Sequence, residues 1–160
     1  MTYKVSNTHT SSCIWVEFSK SSTQTVSVGD IITFDATTKR STGSDSVSLN
    51  SSTGVITLSS SKRYWVQASI AVERSSNNNY EIFWRTGAGT TNLTNDDGCF
   101  SVVARRQTAA TGGQPYVTSS HVASIMVDYP TDTYRLYVDT MPASSTVLTL
   151  TNLFIMEMGE

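Results

Sequence analysis

The sequence predicts an all-β protein, a sandwich of two antiparallel sheets with roughly ten strands in a jelly-roll arrangement. Segments of alternating apolar and polar residues follow one another at short spacing, separated by clusters of Gly, Asn, Ser and Asp, and no window keeps a helical period. Ser and Thr together supply about three residues in ten, a composition that favours strands and turns over helices. The 160 residues suffice for a single domain, residues 1–160, in which residues 1–12 form an extended N-terminal arm.

The alternation also locates the individual strands. The longest candidate runs from Tyr64 to Glu73 and places alternate residues from Tyr64 to Val72 on one apolar face, so we expect it at the centre of a sheet. A hairpin is expected before it, with Gly54 in the positive-φ position of the turn. All predicted strands, including the two of this hairpin, lie near 13–19, 24–28, 30–35, 46–50, 55–58, 64–73, 80–86, 100–106, 122–129, 133–140 and 146–158.

Charge and apolar run lengths exclude several classes of partner. Charged residues are 15% of the chain and the formal net charge is −2, so no electrostatic footprint for nucleic acid or an anionic membrane is present. No run reaches the length of a membrane span, and Met1-Thr2-Tyr3-Lys4 leads into no apolar leader, so we expect neither membrane insertion nor secretion. Cys13 and Cys99 are expected to be free buried thiols, with a disulfide as the alternative.

Catalytic and metal-binding patterns are weak. The two histidines, His9 and His121, lie in no metal-binding motif, and a triad of Ser119, His121 and Asp128 has no supporting motif, so we predict no enzyme and no cofactor. Asp96 and Asp97 are the one candidate for calcium, because two carboxylates stand together on a predicted loop. A tight Asp-Gly turn at this point is the favoured interpretation.

Two loops are candidates for ligand binding. The segment 107–121 is polar, rich in glycine and long enough to be functional, and it contains Tyr116 and His121. A second polar stretch contains Asn78 and Tyr80. Tyrosine beside Asn and Ser is suited to sugars, because the ring stacks and the amides and hydroxyls form hydrogen bonds. The alternative is that both loops are simply solvated.

The last predicted strand is apolar on both faces, since Leu153 and Ile155 lie on one side and Phe154 and Met156 on the other. Only one face of a sheet in a two-sheet sandwich packs on the core, so a neighbouring subunit would cover the second face. The aromatic residues Trp65 and Tyr137 suggest the same, because large aromatics are enriched at interfaces. We therefore predict a subunit interface formed by Trp65, Tyr137, Phe154 and Met156. The alternative is a monomer in which loops cover these residues.

Several segments resemble the C1q and tumour necrosis factor family of trimeric jelly rolls. The resemblance lies in the Asn50, Thr53 and Gly54 turn before the aromatic strand that begins Tyr64-Trp65, in the paired segments 123–129 and 131–138, and in the closing strand with Phe154. It covers residues 30–158 and implies a homotrimer.

Phage tail-fibre tips and head-decoration proteins include trimeric knobs of similar shape. This chain also resembles them in its richness in Ser, Thr, Asn and Gly and in its low charge. The resemblance implies a non-enzymatic protein of the virion surface whose partners are its own copies, other virion proteins and a host-surface glycan or protein. The alternatives are a free lectin-like or C1q-like recognition module and a small hydrolase on a β scaffold.

Overall fold

The computed structural model describes residues 14–40, 46–74, 80–87, 92–93, 99–100, 117–141 and 145–158. This part of the chain forms twelve strands in two antiparallel sheets, which confirms the predicted all-β sandwich. The strands are β1 Trp15–Ser19, β2 Gln24–Val26, β3 Ala36–Arg40, β4 Val47–Asn50, β5 Val55–Leu58, β6 Arg63–Arg74, β7 Glu81–Thr86, β8 Cys99–Phe100, β9 Val117–Asp128, β10 Thr133–Thr140, β11 Ser145–Val147 and β12 Asn152–Met158.

The first sheet is built around β6, as the sequence predicts. One edge of β6 pairs with β9 along its whole length, and the other pairs with β12 and then with β11. Beyond these neighbours, β12 continues to β1 and β3, β11 continues to β2, and β9 continues to β8. Twelve residues of alternating pattern form a strand long enough to serve all three neighbours.

The second sheet has the order β4-β5-β10-β7. The pairing of β5 with β10 covers only the start of β10, and the chain from Gly29 to Ile32 runs along the rest of that edge. The Gly29 amide donates to the Val138 carbonyl at 2.9 Å, and the Ile32 amide donates to the Leu136 carbonyl at 3.0 Å. This segment therefore extends the second sheet without forming a named strand.

The core lies between the two sheets. Tyr64, Val66 and Ile70 of β6 are buried, as the alternation predicts, and they face a second sheet whose inward residues include the fully buried Trp84 and Leu136. Burial of such large side chains stabilises the fold by roughly 1.5–3 kcal/mol each. Within the described ranges, no helix is long and apolar enough to span a membrane.

The predicted hairpin is present as β4 and β5, and Gly54 has a φ of +67° in its turn. The Asn50 carbonyl accepts the Gly54 amide at 2.8 Å, and the Asn50 side chain accepts the Ser52 and Thr53 amides. A Cβ at Gly54 would overlap the Ile32 carbonyl oxygen. Glycine is therefore needed both for the turn conformation and for the close approach to the neighbouring chain.

Two predicted strands, 30–35 and 146–158, and the predicted loop 107–121 need correction. Residues 30–35 alternate as predicted, with Ile32 and Phe34 buried, but they form one isolated bridge rather than a strand, and the strand begins at residue 36. The side chain of Gln24 accepts the Thr33 amide, so it replaces a backbone hydrogen bond that a paired strand would make. The predicted loop 107–121 contains the first residues of β9, whose pairing with β6 extends to residue 117.

The last predicted strand, 146–158, is two strands, β11 and β12. The chain turns between them, where the Thr151 amide donates to the Leu148 carbonyl at 3.0 Å. Thr151 is fully buried, and its hydroxyl accepts the Ala71 amide of β6 at 3.0 Å. This hydrogen bond lies at the position on β6 where the neighbouring strand changes from β12 to β11.

Candidate subunit-contact face

The outer face of the first sheet carries a row of large apolar side chains across four adjacent strands. Met126 of β9 lies opposite Trp65 of β6, Trp65 lies opposite Met156 of β12, and Met156 lies opposite Trp15 of β1. Residues directly opposite one another in neighbouring strands share a face of the sheet. We call Met126, Trp65, Met156 and Trp15 the Met–Trp row.

Phe154 extends this row by one position along β12. Its ring stacks on Trp15, with centroids 5.9 Å apart and planes inclined by 26°. Gln67 and Glu17 lie opposite Phe154 on the two neighbouring strands. The structure thus brings together three of the four predicted interface residues, Trp65, Phe154 and Met156.

The row is only partly covered by the described part of the chain. Met126 is 44% exposed, and Val122, on the same face of β9, is 50% exposed. Trp15, Trp65 and Met156 are half-buried, whereas their chain neighbours Val16, Tyr64, Val66 and Ile155 are buried in the core. Continuous apolar surface of this kind is typical of an interaction site.

Charged and polar residues border the row at its two ends. At one end Arg63 pairs with Asp128 at 3.1 Å. At the other end, Ser69 lies between Asn152 of β12 and Val122 of β9. An apolar centre with a polar rim is the usual arrangement of a protein interface.

Tyr137, the fourth predicted interface residue, lies on the second sheet, so the four residues do not form one surface. The Cζ of Arg85 is 3.3 Å from the centre of the Tyr137 ring. Arg85 also donates to Asp139 at 2.9 Å and to Asn92 at 2.6 Å. The same chain therefore covers part of the Tyr137 ring, and the interface role of Tyr137 stays a prediction.

Of the four predicted ligand residues, the structure describes the side-chain surroundings of Tyr80. Tyr80, which directly precedes β7, is only 2% exposed, and the Arg74 guanidinium lies 5.1 Å from its ring centre. Its role in ligand binding stays a prediction. His121 is part of β9, opposite Ile70 of β6, rather than in a loop. The remaining candidates, for ligand or metal, lie outside the described residues: Asn78, Tyr116, Asp96 and Asp97.

Two members of the Met–Trp row were not among the predicted residues. Trp15 alternates with the buried Val16 and Phe18, so its strand pattern already placed it on the outer face. Met126 alternates in the same way with Ile125 and Val127. The strand patterns therefore carried the signal, but the pairing that joins these positions was needed to show a common row.

The comparisons with known proteins concern the fold. No protein-family model and no curated protein matches the sequence. Among solved structures, Eiger TNF from S. frugiperda matches with a TM-score of 0.58 at 11% identity, covering 92% of this chain and 94% of that one. The globular domain of zebrafish complement 1qA matches at 0.49 and 12% identity, covering 89% and 94%, and PRD1 vertex protein P5 at 0.45 and 15%, covering 92% and 96%. Together with the observed sheet topology, the first of these matches shows that the chain has a jelly-roll fold of the C1q and tumour necrosis factor type.

Proposed function

We propose that this chain is a non-enzymatic structural protein of a phage virion surface, where it forms a homotrimeric jelly-roll knob that decorates the particle or tips a fibre. The observation that carries the proposal is the Met–Trp row on the outer face of the first sheet. Neighbouring copies of the chain cover this face when three subunits close into a ring.

Copies of the same chain are suitable occupants of the face for two reasons. The formal net charge of −2 gives only weak repulsion between copies. The polar rim carries charges of both signs, Arg63 beside Asp128, so a neighbour meets no field of one sign. Cyclic closure then covers the row on every subunit and leaves no open face for further growth.

Support for three-fold rather than two-fold closure comes from the resemblance to trimeric jelly rolls in the segments around Tyr64, Tyr129 and Phe154. Support for a virion location comes from the composition, which is rich in Ser and Thr and low in charge. Assembly rather than catalysis is proposed because no group of three or more His, Cys, Asp or Glu suited to a metal ion occurs among the described residues, and the sequence carries no motif of a known catalytic site.

The experiment measures molar mass by light scattering after size exclusion, for the wild-type protein and for Met126→Glu. Wild type should elute at three times the mass of one chain, and Met126→Glu should elute as a folded monomer, because a carboxylate in a covered apolar row is unpaired. Met126 is 44% exposed within the subunit, so the subunit itself tolerates the change.

The matched control is Leu150→Glu, which places the same charge on an apolar side chain that is 72% exposed in the turn between β11 and β12. It should keep the trimer mass. A stable wild-type monomer at micromolar concentration, or a trimer that survives Met126→Glu, would contradict the assembly proposal. A map of the virion with the protein at its surface tests the location separately.

A further inference from the structure

An open groove of about 500 Å³ lies at the edge of the sandwich, between the chain after β2 and the turn from β4 to β5. Its lining includes exposed Thr25 and Asp30 on one side and exposed Ser52 and Thr53 on the other, with half-buried Ile31 between them. The volume lies within the usual range of sites for small molecules.

One wall of the groove is held by partly buried hydrogen bonds. The side chain of Gln24 accepts the Thr33 amide at 3.1 Å and the Lys20 ammonium at 3.0 Å, and it donates to the Ile31 carbonyl at 2.8 Å. Lys20 also donates to the Thr33 carbonyl at 2.8 Å, and burial lowers the pKa of this lysine. A wall held in this way loses little entropy when a ligand binds.

The carboxylate of Asp30 is oriented by the chain next to it. One of its oxygens accepts the Ser27 amide at 2.8 Å. A carboxylate has about four acceptor positions, so this single bond leaves most of its capacity for a ligand. The hydroxyls of Thr25, Ser52 and Thr53 can each both donate and accept.

Gly29 completes the rim. Gly29 lines the groove with φ of +101°, and a Cβ at this position would lie 3.8 Å from the Tyr137 hydroxyl oxygen. Glycine allows a ligand to approach the backbone closely.

From this arrangement we propose that the groove binds one neutral sugar residue of a glycan. Several hydroxyls and one oriented carboxylate match a ligand that presents adjacent hydroxyl groups, and Ile31 offers a small apolar contact for its C–H face. No Lys or Arg is among the residues that line the groove, and Asp30 repels an anionic ligand. The site lies on a different surface from the Met–Trp row, so the inference does not rest on assembly.

The test is saturation-transfer NMR on the full chain with the methyl glycosides of glucose, galactose, mannose and N-acetylglucosamine. Open polar sites for single sugars bind in the millimolar range, so each probe is titrated to roughly 20 mM. At least one glycoside should bind, whereas methyl glucuronide should bind more weakly than methyl glucoside because of Asp30.

Two variants assign the binding to the groove. Thr25→Val and Asp30→Asn should each weaken binding about tenfold. The first removes a hydroxyl and the second a negative charge, and neither changes the shape of the side chain. The matched control is Thr57→Val, an equally exposed strand threonine outside the groove, which should bind as wild type does. Thermal melts of all variants confirm that they fold.

Binding of none of the four glycosides overturns the proposal, and so does equal binding by wild type and Thr25→Val, or tighter binding of the glucuronide. Molar mass is measured on the same samples. A trimer that binds no sugar contradicts only the groove, and a monomer that binds sugar contradicts only the assembly.

Discussion

Each sheet carries on its outer face an arginine that pairs with an aspartate of the adjacent strand and lies near a tyrosine ring. On the first sheet, Arg63 and Asp128 are 44% and 54% exposed, and the Cζ of Arg63 is 5.6 Å from the Tyr129 ring centre. On the second sheet, the side chains of Arg85 and Asp139 are 8% and 36% exposed, and the Cζ of Arg85 is 3.3 Å from the Tyr137 ring centre. The two clusters share their chemistry and differ in burial.

This difference shows how each outer face is completed. Water screens the exposed pair on the first sheet, and such pairs contribute about 0–1 kcal/mol. The second sheet covers its own aromatic residue with Arg85, which is also held by Asn92. The second sheet thus covers Tyr137 within the subunit, whereas the Met–Trp row of the first sheet is only partly covered by the described part of the chain.

The largest expected effect is that of Gly54→Ala, at the point where the hairpin packs on Ile32. The smaller losses of stability expected from changes on the two outer faces are compared with it. Alanine at a φ of +67° is strained, and its Cβ overlaps the Ile32 carbonyl oxygen. We expect the free energy of unfolding to fall by about 3 kcal/mol. Urea unfolding measures it, with Ser51→Ala in the same turn as the control, and a loss as small as that of the control contradicts the close approach.

A smaller effect is expected from Arg85→Met, which removes the guanidinium group that lies over Tyr137 on the second sheet. The variant loses the hydrogen bonds to Asp139 and Asn92 and keeps most of the side-chain volume. The free energy of unfolding should fall by about 2 kcal/mol, while the molar mass stays that of wild type. A change in molar mass with unchanged stability would instead place Arg85 at a subunit contact.

The smallest effect is expected from Arg63→Gln, the matching change on the first sheet. The pair that it breaks is exposed on both sides, so in the monomeric Met126→Glu background the free energy of unfolding should change by less than about 0.5 kcal/mol. The measurement is the same urea titration. A loss equal to that of Arg85→Met would show that burial does not separate the two clusters.

Local patterns predicted much of the fold. The hairpin with Gly54, the inward face of β6 and the burial of Ile32 and Phe34 follow from alternation and turn chemistry, which operate within a few residues. The same patterns were wrong about the ladder at 30–35 and about the break near Thr151. At both places, side chains from elsewhere in the chain bind the backbone in place of a neighbouring strand.

The candidate site was only partly predictable. Phe154 and Met156 were predicted because the last strand is apolar on both faces. Trp65 was predicted because it is a large aromatic residue on the less apolar face of its strand. Tyr137 fitted the same rule but lies on the other sheet, and Tyr80 looked like a loop residue but is buried. Single-strand patterns assign a face, but they do not state which sheet the strand joins.

The sequence by itself determined that this protein is a two-sheet β sandwich with more apolar strand surface than one core needs. Only the tertiary structure decided that Trp15, Trp65, Met126 and Met156 form one row and that Arg85 covers Tyr137. The reason is that alternation is a property of consecutive residues, whereas a row across four strands depends on pairing between residues 61 to 141 positions apart in the chain.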